Sequence, residues 1–163
     1  MSFVKIWIHA IWATKGREQL LTKELRRQLF PHIIANAKSK NIYIDSINGY
    51  TDHAHCLVAL DSEQSISKIL QLIKGESSFW INKNNLCMSH FEWQDEYFAV
   101  SVSESKLSIV RKYIRTQEYH HQQKTFQQEY DEFMIRHGLG FKNLRPPEAG
   151  EAGGSILKKV HKN

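Results

Sequence analysis

Between Phe3 and Ala13 the even positions Val4, Ile6, Ile8, Ala10 and Trp12 are apolar, while Lys5 and His9 fall on the other face. That alternation has the period of a strand with one buried side. Thr22 is suited to cap a helix in which Leu25, Leu29, Ile33, Ile34 and Ala37 recur at helical spacing, with Pro31 as a kink and an end near Asn41. Two further strands, Ile42 to Ile47 and His53 to Leu60, read as a hairpin whose turn chemistry comes from Asn48, Gly49 and Asp52. A second helical stripe follows in Ile66, Ile69, Ile73 and Trp80, weakened locally by Gly75. Tyr97 to Ser103 alternates again as a fourth strand. Helical sequence then runs from Ser105 to about Gln122 and from Thr125 to His137, the second opened by Thr125 with Gln128 three residues on.

Strand, helix, strand, strand, helix, strand is the order of a ferredoxin-like α+β fold: one antiparallel sheet with both helices on one face, here followed by C-terminal helices. Residues 1–140 are expected to form one domain. The segment RPPEAGEAGG cannot bury enough apolar surface to offset its ordering entropy, so 141–163 is expected to be a flexible, Pro- and Gly-rich basic tail.

Composition changes this picture little. Of the 163 residues, 41% are hydrophobic and 24% charged, as in ordinary soluble domains. No apolar run approaches the roughly 18 residues a membrane span needs, so a cytoplasmic protein with no membrane partner is expected. Cys56 and Cys87 are too few and too far apart for a disulfide scaffold or a cysteine zinc site. A net charge of +5 and a pI near 9.2 make a polyanion a plausible partner without requiring one.

The chemistry concentrates in two places. His53 and His55 are two apart on a strand, so both imidazoles leave the same face and can share a metal. Ala54, Cys56, Val58 and Leu60 form the apolar set expected to meet the two helices, which turns the histidines to the opposite face. A bare His-x-His also fits two half-exposed strand histidines, and a metal there would need another ligand. On the later helix, Tyr113 and Gln117 are four apart and share a face. Gln117 would complete a His, His, Gln set with open positions, suiting magnesium or manganese better than a closed zinc site. Tyr113 would be the nucleophile, since a phenol of ordinary pKa about 10 becomes competent when a cation or base draws off its proton. In a helix a Tyr beside Ile114 is more often a packing residue than a catalyst. Lys106, Arg111, Lys112, Arg115 and Lys124 surround that helix with positive charge, where a phosphate backbone would pass.

His-hydrophobe-His on a strand with Tyr-x-x-x-Gln on a later helix resembles the single-tyrosine HUH transposases of small bacterial insertion sequences. The segments GYTDHAHCLVAL, LIKGESSFWIN, FEWQDEYFAVSVSES and VRKYIRTQEYHHQQKTFQQEYDEF carry the resemblance over residues 3 to about 140. By it, His53 and His55 match the metal pair, Gln117 the third ligand and Tyr113 the nucleophile, and Lys74 is drawn towards DNA contact beside Arg111, Lys112 and Arg115. The resemblance also implies metal-dependent cleavage and rejoining of single-stranded DNA through a 5′-phosphotyrosine. It implies hairpin-marked DNA ends as substrate and a homodimer in which the tyrosine helix of one subunit serves the histidines of the other. A replication initiator or relaxase uses the same chemistry, and a non-cleaving single-stranded nucleic-acid-binding module shares the topology.

Overall fold

The computed structural model describes residues 2–120, together with Gln128, Asp131, Glu132 and Ile135, which are helical. Most of the helix expected from Thr125 to His137, and the whole of the expected tail, lie outside the described residues. The element order is β1 (Ile6–Ala13), α1 (Lys23–Ser39), β2 (Tyr43–Gly49), β3 (His53–Leu60), α2 (Ile66–Lys83), β4 (Phe98–Val102), α3 (Leu107–Arg115) and α4 (Gln117–His120). The strands form one antiparallel sheet in the order β2-β3-β1-β4, the ferredoxin-like arrangement.

Local chemistry explains the boundaries. Thr22 Oγ1 accepts a hydrogen bond from the Leu25 amide at 3.1 Å and opens α1, and Ser65 caps α2 through the Lys68 amide. Pro31 lies inside α1, and the helix runs on past it to Ser39. Asn48 and Gly49 belong to β2, paired with His55 and Ala54, so the turn is made by Tyr50 to Asp52. Gly49 is required there because a Cβ would stand 2.1 Å from the His53 carbonyl oxygen. The β2–β3 register slips between Ile44 and Ser46, a bulge that leaves Asp45 outside the ladder.

Helices α1 and α2 cover one face of the sheet. Leu25, Leu29, Phe30 and Ile33 of α1 and Ile69, Leu70, Ile73 and Ile81 of α2 pack on Ala10, Trp12, Ala54, Cys56 and Val58. Phe30 is buried where Ile34 was expected; Ile34 is largely exposed. The opposite face is closed by α3, whose Leu107, Val110, Tyr113 and Ile114 meet Trp7, Ile11, Leu57, Phe98 and Val100. The central strand β1 is therefore buried on both sides, not on one, and His9 has no exposed surface.

The expected helix from Ser105 to Gln122 is interrupted. After a 3-10 turn at Glu104–Lys106, α3 stops at Arg115, and α4 starts anew at Gln117. Thr116 between them has φ −101° and ψ 21°, and its hydroxyl donates back to the Lys112 carbonyl at 2.8 Å. The Asn48 amide from β2 takes the Arg115 carbonyl at 3.2 Å, satisfying a group the broken helix leaves over.

Candidate active site

His53 and His55 leave β3 on the α3 side, as the alternation with Ala54 and Cys56 requires. Both are buried, with ring centres 5.1 Å apart. Tyr113, in the last turn of α3, sets its ring edge-on to His55 at 5.5 Å and to His9 at 6.2 Å. Gln117, the first residue of α4, is fully buried, and its Nε2 donates to the Tyr113 carbonyl at 3.1 Å. That bond orients the amide so that Oε1 faces His53 Nε2 at 3.4 Å. All four residues singled out from the sequence thus meet within one chain.

The protonation states follow from the surroundings. His53 Nδ1 lies 2.6 Å from Asp52 Oδ1, whose other oxygen accepts from Arg17 Nε at 2.9 Å. Burial pushes the His53 pKa down, with the Asp52 contact opposing it, so the ring is neutral at pH 7. Burial alone would raise the Asp52 carboxyl; hydrogen bonds and charge from His53 and Arg17 overcome this and bring it down to about 2. The Nδ1–H of a neutral His53 then belongs to Asp52, and its Nε2 presents a lone pair. Two acceptors, that lone pair and the Gln117 oxygen, face each other, which a cation satisfies and a hydrogen bond between them does not.

Among the described residues no cluster of three or more His, Cys, Asp or Glu side chains could hold a metal. The set that fits one consists of two imidazoles and an amide oxygen: His53, His55 and Gln117. A neutral, tautomer-fixed imidazole backed by a carboxylate is the usual donor for such an ion.

The basic residues divide differently. Lys112 and Arg115 are exposed on α3. Arg111 forks onto Asp45 at 2.8 and 2.9 Å and lies 5.7 Å from the Trp7 ring, so the bulged aspartate holds its planar donors. Asp45 is held below its usual pKa chiefly by that hydrogen bond, against the opposing effect of burial. Lys74 is not brought to this site: it sits half-buried on α2, across the sheet from α3, and donates to the Asp95 carbonyl at 2.8 Å.

Sequence reasoning passed over His9, Asp52 and Arg17. His9 Nε2 lies 3.0 Å from His55 Nδ1, the rings stacked at 5.2 Å and 29°. Burial drives its pKa down to about 3. The signal was the near-continuous apolar run IWIHAIWA, which marks a strand buried on both faces and so places His9 inside. Asp52 stands directly before the histidine pair and was read only as a turn residue.

Comparison with known proteins shows the family. The sequence model for "Transposase IS200 like" matches residues 2–117, most of the chain. The chain belongs to the IS200-like transposase family. Among relatives of the IS200-like type, the ISDra2 transposase TnpA of Deinococcus radiodurans is 26% identical over 115 residues, covering 67% of this chain and 81% of the relative. A crystal structure of a transposase candidate from Deinococcus radiodurans R1 superposes with a TM-score of 0.57 at 23% identity, over 71% of this chain and 93% of that one. The REP-associated tyrosine transposase bound to a REP hairpin superposes at 0.55 with 18% identity over 97% of both chains. These two likenesses show a shared fold. Among the described residues no helix is long and apolar enough to cross a membrane.

Proposed function

We propose that this IS200-like transposase cuts and rejoins single-stranded DNA with Tyr113 as nucleophile, on hairpin-marked ends in the bacterial cytoplasm. The observation that supports it most is the meeting of Tyr113, His55, His53 and Gln117 in one buried layer, with the Tyr113 and His55 rings 5.5 Å apart. In the first step the Tyr113 oxygen attacks a backbone phosphorus and the bond to the 3′ oxygen breaks, leaving a 5′-phosphotyrosine and a free 3′-hydroxyl. In the second, a 3′-hydroxyl attacks that linkage and Tyr113 is released, so the bond energy is kept.

His53, His55 and Gln117 are the residues that would hold a divalent cation, magnesium or manganese. When bound, such an ion polarises the scissile phosphate and stabilises the leaving alkoxide. Asp52 and Arg17 hold His53 in its ligand tautomer, and Gln117 is aimed by the Tyr113 carbonyl. Exposed Lys112 and Arg115 would follow the phosphate backbone, joined by Arg111 if DNA displaces Asp45. Lys74 would meet a stretch of strand on the other side of the sheet.

The test is cleavage of end-labelled single-stranded hairpin DNA with manganese, read as a covalent protein–DNA adduct. Wild type should form the adduct and Tyr113→Phe should not; an adduct in the Phe variant, or binding without cleavage in wild type, overturns the reading, the latter in favour of a non-cleaving module. Assembly is tested apart from chemistry. Composite sites in a homodimer, which the family resemblance implies, require α3 to leave the histidines it covers here. A mixture of Tyr113→Phe and His55→Ala proteins would then recover cleavage, whereas a mixture that stays inactive assigns the working site to one chain.

A further inference from the structure

Each of the two histidines of the proposed metal pair has its Nδ1 against another side chain, but the partners differ. For His53 it is the Asp52 carboxylate at 2.6 Å; for His55 it is the Nε2 of His9 at 3.0 Å. His9 stands on β1 opposite Leu57, one pleat along from the Ile11–His55 pair, and its side chain shares the α3 side of the sheet with Trp7 and Ile11. Neither His9 nor His55 has exposed surface.

A hydrogen bond between two imidazoles holds one proton between them, and which ring donates it decides what His55 can do. If His9 donates, His55 carries its own proton on Nε2 and cannot ligate. If His55 donates from Nδ1, its Nε2 is left with a lone pair. We propose that His9 is a positioning residue that accepts the Nδ1 proton of His55 and so fixes His55 in its metal-ligating tautomer, the counterpart of Asp52 for His53. This rests on the metal reading above.

The choice of residue type has a physical reason. Asp52 keeps its charge because it is partly exposed and paired with Arg17, their side chains 18% and 17% accessible. At position 9 there is no exposure, and a carboxylate there would be a buried charge with no cation beside it, among the described residues, to offset its desolvation. A neutral imidazole is an acceptor that a dry site can hold.

The test uses the full-length protein labelled with 15N-histidine, long-range 1H–15N correlation to read tautomers, and Mn2+ alone, titrated by EPR. Expected for wild type is a proton on His55 Nδ1. In His9→Leu, which keeps the volume and removes the acceptor, that tautomer is lost and Mn2+ affinity falls about 10-fold or more; His9→Gln, whose amide oxygen accepts, regains most of it. A purely structural role would lower the melting temperature of both variants and leave tautomer and affinity alone. A wild-type His55 protonated on Nε2 overturns the proposal even if His9→Leu fails to fold, and so does a folded His9→Leu with unchanged Mn2+ affinity. Wild-type protein that binds no Mn2+ overturns the metal reading instead, while the tautomer spectrum still judges His9.

Discussion

The two faces of the sheet are built by the same alternation, yet they are filled by different chemistry. Under α1 and α2 the packing is almost wholly apolar, with Trp12, Leu21, Leu29 and Leu70 at its centre and a buried polar bridge from Trp93 Nε1 to Ser77 Oγ at 2.9 Å. Under α3 and α4 the packing mixes Trp7, Ile11 and Ile114 with His9, His53, His55 and Gln117. A layer of the first kind gains stability from every residue it buries. The second gives up part of that gain to keep imidazoles and an amide dry, and each of these must be hydrogen-bonded in a defined way. Apolar packing and buried polar hydrogen bonding are thereby placed on opposite sides of one sheet.

That division predicts different consequences for damage on each side. On the α3 face, Tyr113→Phe retains the ring and its packing, so cleavage should fall at least about 10^3-fold while thermal unfolding is little changed. On the other face, Leu29→Ala should cost about 2–5 kcal/mol in urea unfolding, with cleavage per folded molecule preserved. A loss of activity exceeding the loss of folded protein would show the faces to be coupled.

Acid should act through the α3 face. His9 and His53 are neutral in the fold, with pKa values lowered by burial, to about 3 for His9. Above pH 6.5 neither state takes up a proton and stability is flat; below it only the unfolded chain does, so each of these histidines subtracts about 1.4 kcal/mol per pH unit until its own folded pKa is reached. Asp52 also titrates low, but its contribution is lost only between about pH 4 and 2. Urea midpoints at pH 7, 6 and 5 should therefore decline; equal midpoints would mean the imidazoles are not buried neutral.

Smaller effects sharpen the contrast. Ser77→Ala leaves the buried Trp93 indole N–H without its acceptor and should cost about 1 kcal/mol or somewhat more, with no change in cleavage. Replacing the exposed Lys112 and Arg115 by alanine should leave stability alone and reduce the slope of log affinity against log salt for single-stranded DNA by about 0.7 per residue. An unchanged slope would place the strand elsewhere.

Much of this was legible along the chain because short-range rules decide it. The alternation through Ala54, Cys56 and Val58 put the histidine pair on the side away from α1 and α2, and four-residue spacing put Gln117 beside Tyr113. The Thr22 cap was plain for the same reason. What escaped depends on contacts distant in sequence. His9 looked outward-facing because covering β1 on its second side takes a helix more than ninety residues later. The break at Thr116 needs the Asn48 amide from β2 to take up a stranded carbonyl. Arg111 looked like a free phosphate ligand because nothing local announces the bulge that turns Asp45 towards it.

That break has a consequence for how the tyrosine is aimed. α3 has nine residues, below the length of roughly 12–15 at which an isolated helix begins to hold together in water. It does not persist by its own backbone hydrogen bonds, so leaving the sheet and unwinding are one cooperative event. Amide hydrogen exchange along Val110 to Gln117 should accordingly proceed as a single opening unit, at a free energy set by docking and not by helix propensity. The direction in which Tyr113 points is thus a property of the sheet beneath it, and lasts only for the lifetime of that contact.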